Sequence, residues 1–113
     1  MNLLLVEDDA ASSDALAELL RDEGHTVFTA YSGRQALESL EARRPDLILL
    51  DLMLPDVNGW EFRRRQLGNP AWASIPVVVV SAVSPGSELS GLPAVRKPVR
   101  FDELLHKMRH LKL

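Results

Sequence analysis

The sequence lacks cysteine and any concentrated basic cluster. None of its 113 residues is a cysteine, so disulfide bonds, thiol chemistry and cysteine-based zinc sites are excluded. The net charge is −3, and the densest basic run, residues 63–65, falls on a predicted helix, where the three arginines point in different directions. We therefore expect no direct nucleic-acid partner, because such a partner requires a basic surface that follows the phosphate backbone.

Long hydrophobic runs are missing as well. No apolar stretch approaches the roughly 20 residues that a membrane-spanning helix requires, and the start of the chain lacks the basic region of a signal peptide. These absences predict a cytoplasmic location and no membrane partner. With 46% hydrophobic and 26% charged residues, the composition is that of an ordinary globular protein, and the length suits a single domain over residues 1–113.

The most informative stretch is a short apolar run that ends on a carboxylate. Residues 47–50 are all aliphatic and too few for a helix, as in a parallel strand that is covered on both faces. Asp51 follows directly, at the edge where open α/β sheets bind ligands. Pro55 and the Asn58-Gly59 pair then indicate a loop. Taken alone, Asp51 could equally be a turn residue that ends the strand.

Strand and helix patterns alternate along the whole chain. Further strands are predicted at 3–6, 25–30, 75–80 and 93–96. Helices are predicted at about 10–23, after Ser32, after Asn58 and at about 101–111. Because buried strands alternate with helices, we predict an α/β fold, a doubly wound parallel sheet with helices on both faces.

Polar residues stand where four of the predicted strands end. They are the acidic run Glu7-Asp8-Asp9, then Asp51, Ser81 and Lys97. The carboxyl ends of parallel strands converge on one crevice, so these side chains should meet there. Clustered carboxylates repel one another, and a hard cation such as Mg²⁺ relieves the repulsion. A lysine and a hydroxyl can bind phosphoryl oxygens, and an aspartate can act as a nucleophile toward phosphorus.

Four motifs, in this order and spacing, resemble the receiver domain of two-component response regulators. They are residues 4–9 (LLVEDD), residues 49–59 (LLDLMLPDVNG), residues 79–82 (VVSA) and the Lys97-Pro98 pair. The resemblance covers essentially the whole chain. It implies a flavodoxin-like (βα)5 fold with a five-stranded parallel sheet in the order 2-1-3-4-5, and a cis bond between Lys97 and Pro98.

The resemblance also implies a role for each residue of the crevice. Asp51 would accept a phosphoryl group from a sensor histidine kinase or a histidine phosphotransfer protein, in a reaction that depends on Mg²⁺. The implied metal ligands are Asp8, Glu7 through a water, Asp51 and the backbone carbonyl of Met53. Ser81 and Lys97 would bind the phosphoryl group, whereas Asp9 would be a solvated acid in the first helical turn. Such a domain signals to a downstream protein and is not an enzyme, apart from slow self-dephosphorylation.

Two features depart from the family pattern. Ala94 occupies the position, three residues before the lysine, where receivers usually carry a tyrosine or phenylalanine that turns inward as part of the switch. Residues 82–96 are also too few for two loops, a full helix and a strand, and two prolines and two glycines within them disfavour a helix. We predict that the fourth helix is shortened or lost. The usual output and dimer surface should therefore be atypical.

Other functions are weighed against the receiver hypothesis. The main alternative is a phosphorylation-independent interaction module, a pseudo-receiver on the same fold. A phosphatase of the haloacid dehalogenase type would carry a second aspartate two positions after Asp51, where this chain has Met53. A nucleotide-binding Rossmann domain would require a glycine-rich phosphate loop, which is missing. The downstream protein is not identified by the sequence, and a homodimer is considered as a further partner.

Overall fold

The computed structural model describes residues 1–111. Its strands are β1 (Asn2–Val6), β2 (Thr26–Ala30), β3 (Leu47–Leu50), β4 (Val77–Ser81) and β5 (Ala94–Arg96). Its helices are α1 (Ala10–Asp22), α2 (Gly33–Ala42), α3 (Gly59–Leu67) and α4 (Phe101–Arg109), and a 3₁₀ turn (Ser87–Leu89) lies between β4 and β5. None of the helices within residues 1–111 has both the length and the apolar character that a membrane crossing needs.

The five strands form one parallel sheet. Their spatial order is β2-β1-β3-β4-β5, as predicted, with β3 in the centre. The register aligns Val6 with Ala30 on one side and with Leu50 on the other. Ser81 is aligned with Arg96 in the last pair of strands. The carboxyl ends therefore lie along one edge, and the residues that follow them in the chain gather there.

Successive residues of the central strands supply two separate cores. Side chains alternate between the faces of a strand. The core on one face joins residues of α2 and α3 to the strand residues Leu4, Val6, Ile48 and Leu50. The core on the other face joins residues of α1 and α4 to the strand residues Leu3, Leu5, Leu47 and Leu49. Because helices cover both faces, β3 has to be apolar at every position.

Local capping defines where the helices begin and end. The side chains of Asp9, Ser32 and Asn58 each accept a hydrogen bond from the backbone N–H three residues later, at 2.9–3.1 Å. Such caps satisfy N–H groups that have no partner within the helix. At the other end of α1, Gly24 has a φ of 96°, a left-handed conformation that favours glycine.

The connection between β4 and β5 contains no α-helix. Residues 82–93, which we call the strap, include only the 3₁₀ turn Ser87–Leu89. The prediction that the fourth helix is shortened or lost is therefore confirmed. The turn has no side-chain cap, and it is fixed to the core mainly by Leu89, which is 3% exposed.

Candidate functional site

Three carboxylates meet at the carboxyl edge of the sheet. Glu7, Asp8 and Asp51 each bring a carboxylate oxygen within 4.8 Å of the others. Glu7 and Asp51 are buried, with 6% and 4% of their surface exposed, whereas Asp8 is exposed. Glu7 follows β1 and Asp51 follows β3, and these strands are neighbours. The sheet topology therefore explains why two buried acids lie side by side.

Lys97 pairs with both buried acids. Its Nζ donates to Oε2 of Glu7 at 2.5 Å and to Oδ2 of Asp51 at 2.8 Å. The other carboxylate oxygen of Asp51, Oδ1, accepts hydrogen bonds from Oγ of Ser81 at 3.0 Å and from the backbone N–H of Met53 at 3.2 Å. Both oxygens of Asp51 are thus bonded, and its carboxylate is fixed in orientation.

The ionisable groups of the pocket shift one another's pKa values. Burial raises the pKa of Glu7 above its ordinary value of 4.5; the adjacent Asp51 adds to the rise and Lys97 opposes it. Burial also acts to raise the pKa of Asp51, but the bond from Lys97 and further hydrogen bonds outweigh it, so this pKa is lowered. Burial acts to lower the pKa of Lys97, yet its two acidic partners raise it overall. The pocket therefore favours the charges of Asp51 and Lys97 and disfavours the charge of Glu7.

Backbone hydrogen bonds hold these residues in register at the sheet edge. The N–H groups of Glu7, Asp51 and Lys97 each donate to the carbonyl of a neighbouring strand residue at 3.0 Å. The peptide bond between Lys97 and Pro98 is cis, as the resemblance implied. The pocket is thus built on strand ends, which position side chains more rigidly than free loops do.

The structure brings together the residues that the sequence singled out for the crevice. They are Glu7, Asp8, Asp51, Met53, Ser81 and Lys97. The function of each of them stays a prediction, including the ligand role of the Met53 carbonyl. Asp9 differs from the expectation of a first-turn acid, because it precedes α1 and caps it. Its carboxylate accepts bonds from the backbone N–H and the hydroxyl of Ser12, which lower the pKa of Asp9.

Two contacts that join α3 to the strap were not predictable from the sequence. Nε1 of Trp60 donates to the carbonyl of Pro85 at 2.9 Å. The guanidinium of Arg64 donates to both carboxylate oxygens of Glu88, at 2.7 and 2.8 Å. Partners 24 and 25 residues apart follow no spacing rule of helices or strands, so no sequence pattern could have identified them. The ring of Trp60 is partly buried against the core.

The donor set of the pocket fits a hard divalent cation. Mg²⁺ binds carboxylate and carbonyl oxygens together with waters, and three carboxylates lie together here against one lysine. The excess of negative charge contributes to the raised pKa of Glu7. A cation beside Glu7, Asp8 and Asp51 would remove that repulsion.

The family of the chain follows from its similarity to known proteins. The sequence model described as "Response regulator receiver domain" matches residues 3–109. The chain belongs to the response regulator receiver domain family. Receiver domains are signalling domains of two-component systems rather than classical enzymes, and they generally bind Mg²⁺ at an acidic pocket.

Curated relatives of this receiver domain are response regulators. Response regulator MprA of Mycobacterium ulcerans is 36% identical over 119 residues, which cover 98% of this chain and 50% of MprA. The KDP operon transcriptional regulatory protein KdpE of Escherichia coli is 39% identical over 116 residues, which cover 96% of this chain and 49% of KdpE. The chain therefore spans about half the length of the curated relatives it matches.

Solved receiver structures share the fold over nearly the full chain. The chemotaxis protein CheY4 of Vibrio cholerae matches with a TM-score of 0.89 at 25% identity and covers 98% of both chains. The N-terminal domain of a response regulator receiver protein from Methanoculleus marisnigri matches with a TM-score of 0.79 at 32% identity, covering 97% of this chain and 94% of that one. The short strap is thus compatible with an otherwise ordinary receiver fold.

Proposed function

We propose that Asp51 is the phosphoacceptor of this receiver domain, with a sensor histidine kinase or a histidine phosphotransfer protein as the donor. The observation that carries the proposal is the environment of the Asp51 carboxylate. It is buried, its pKa is lowered, and it lies 2.8 Å from Lys97 Nζ and close to two further carboxylates. A nucleophile must be ionised and oriented, and these contacts favour both conditions.

In the transfer, an oxygen of Asp51 forms a bond to phosphorus while the bond between phosphorus and the donor histidine nitrogen breaks. The nitrogen keeps the electron pair and takes up a proton from water. Lys97 and Ser81 now bond the oxygens of Asp51, and they would turn to the phosphoryl oxygens that appear beside them. Phosphoryl transfer depends mainly on such positioning and charge neutralisation.

Mg²⁺ would be held by the carboxylates of Asp8 and Asp51, by Glu7 through a water, and by the backbone carbonyl of Met53. When bound, it supplies positive charge for the phosphoryl oxygens. The grouping of the three carboxylates within 4.8 Å supports this assignment. The raised pKa of Glu7 supports it too, because a nearby cation would favour the charged carboxylate.

The phosphorylated domain would signal by protein contact through an atypical output face. Ala94 offers no aromatic side chain at the switch position, and the strap replaces the fourth helix. A cytoplasmic location and slow self-dephosphorylation are in keeping with the family, and a single domain over 1–113 stays a prediction. We assign no nucleic-acid contact to this domain, although the relative KdpE is named a transcriptional regulatory protein.

Intact mass spectrometry after incubation with Mg²⁺ and acetyl phosphate tests the proposal. We expect the gain of one phosphoryl group. Asp51→Asn and a sample treated with chelator should gain nothing. Asp56→Asn is the matched control, because Asp56 is exposed, has a φ of 60° that asparagine tolerates, and lies outside the pocket; it should be modified like the parent.

A pseudo-receiver is the second candidate, favoured by Ala94 and by the reduced strap. It would bind Mg²⁺, detected by calorimetry, without gaining mass from acetyl phosphate or from a phosphorylated histidine donor. That outcome would overturn the phosphoacceptor role of Asp51 and leave an interaction module on the same fold.

A further inference from the structure

Two contacts outside the pocket fasten the strap to α3. The indole N–H of Trp60 donates to the carbonyl of Pro85 at 2.9 Å. Arg64 forms a two-pronged ion pair with Glu88, at 2.7 and 2.8 Å. We call these two contacts the latch. Arg64 also bonds Glu61 within α3 at 3.2 Å, so its guanidinium is held on both sides.

Helix α3, which carries Trp60 and Arg64, is in direct contact with the backbone around Asp51. The N–H of Gly59, its first residue, donates to the carbonyl of Leu52 at 2.9 Å. A Cβ on Gly59 would lie 2.6 Å from Cα of Leu52 and 2.7 Å from the carbonyl oxygen of Asp51, so the helix start and the strand end are in direct contact. Phe62, completely buried, fixes the helix to the core. Helix α3 is therefore packed directly against the backbone that follows β3, with no space between them.

The strap is tied instead to Ser81. The hydroxyl of Ser81 donates to Asp51 Oδ1 at 3.0 Å and accepts a hydrogen bond from the N–H of Val83 at 3.4 Å. Pro85 follows two residues later and accepts the bond from Trp60. Because the strap has no α-helix of its own, a displacement that begins at Ser81 is not absorbed by local secondary structure before it reaches the latch.

We propose that the latch senses the state of Asp51, so that α3 and the strap carry the output signal of this chain. The inference rests on the proposed phosphorylation of Asp51. A phosphoryl oxygen on Asp51 lies farther from β3 than the carboxylate oxygen that Ser81 now bonds. When Ser81 turns to that oxygen, the strap moves with it while α3 stays with Asp51, and the bond between Trp60 and Pro85 opens.

The fluorescence of Trp60 reports on the latch directly. Trp72→Phe leaves Trp60 as the only tryptophan, and Trp60→Phe leaves Trp72 as the matched control. Each variant is given Mg²⁺, a baseline spectrum is taken, and acetyl phosphate is added while intact mass is followed on the same sample. We expect the emission of Trp60 to shift to longer wavelength in proportion to the phosphorylated fraction. The reason is that the indole N–H would then donate to water instead of to the carbonyl of Pro85. The emission of Trp72 should stay constant.

A second measurement tests the coupling from the other direction, because coupling between two sites is reciprocal. Glu88→Gln weakens the ion pair with Arg64. It should tighten the binding of beryllofluoride, a phosphoryl mimic, about two- to fivefold, the range that an exposed ion pair supports. Glu38→Gln removes the acid of another exposed pair, with Arg34 on α2, and should leave the affinity unchanged.

The outcomes separate the two proposals. Full phosphorylation with an unchanged Trp60 spectrum, or equal affinities of Glu88→Gln and Glu38→Gln, overturns the latch and leaves the phosphoacceptor role of Asp51 intact. No gain of mass overturns the role of Asp51 and the latch with it.

Discussion

The residues on either side of the end of β3 are equally buried but chemically opposite. Leu47–Leu50 are completely buried and apolar, and Asp51, the next residue, is a carboxylate that is 4% exposed and whose pKa is lowered by the bond from Lys97 and further hydrogen bonds. The same change occurs at the end of β1, between Val6 and Glu7. Burial stabilises the apolar residues because it removes their surface from water, whereas it penalises carboxylates because it removes their hydration.

The contrast shows that neighbouring residues of one strand end serve two purposes, stability in the core and chemistry in the pocket. The core residues contribute stability, whereas the pocket holds a carboxylate, Glu7, whose charge is disfavoured by burial and by the adjacent Asp51. Lys97 offsets part of the repulsion through its bonds to Glu7 and Asp51, but the pKa of Glu7 remains raised. Sites that violate the rules of stable packing are commonly functional ones.

The largest effect is expected in the core. Leu49→Ala should lower the free energy of unfolding by about 2–5 kcal/mol, because it removes buried apolar groups and leaves a cavity in the sheet. Urea unfolding measures the loss. Leu19→Ala is the matched control, since Leu19 is 45% exposed on α1, and it should change stability by roughly 0.5 kcal/mol or less. A similar loss in both variants would erase the contrast between core and surface.

A smaller effect of opposite sign is expected at Glu7. Its folded-state pKa is raised above 4.5, so the protonated side chain stabilises the protein below that pH, and this contribution is lost as the pH rises through the folded pKa. Glu7→Gln stays neutral at every pH. The variant should therefore match the parent below pH 4.5 and have the higher Tm of the two at neutral pH, in metal-free calorimetric scans.

Two controls sharpen the Glu7 experiment. Glu18→Gln, an exposed neutralisation on α1, should show no pH-dependent gain. Added Mg²⁺ should stabilise the parent more than Glu7→Gln, because only the parent keeps the complete set of acidic groups. A metal-free Glu7→Gln protein that is less stable than the parent at neutral pH would show that the bond to Lys97 outweighs burial.

The smallest effect on stability is expected at Asp8, the exposed member of the acidic group. Asp8→Asn should change the free energy of unfolding by no more than about 0.5 kcal/mol. Its affinity for Mg²⁺, measured by calorimetry, should nevertheless fall about tenfold or more, as loss of a metal-site residue typically does. Undiminished Mg²⁺ affinity would exclude Asp8 as a ligand.

The fold was predictable because its signals are local. Four aliphatic residues in a row predict a strand that is covered on both faces, and the regular alternation with helices favours parallel pairing. The strand order was implied only by the resemblance to receiver domains. The grouping of Glu7, Asp51, Ser81 and Lys97 followed, because each stands directly after or at the end of a strand. The loss of the fourth helix was predictable in the same way, from too few residues between Ser81 and Lys97 and from prolines and glycines among them.

The sequence by itself thus determined the strands, their carboxyl edge and the residue types that gather there. Only the tertiary structure decided how those residues pair: Lys97 with both buried acids, Asp9 as a helix cap, and Trp60 and Arg64 with the strap. The physical reason is range. Strand and helix patterns arise from neighbours within a few residues, whereas an ion pair or a shifted pKa depends on distances and burial between residues far apart in the chain, which exist only after folding.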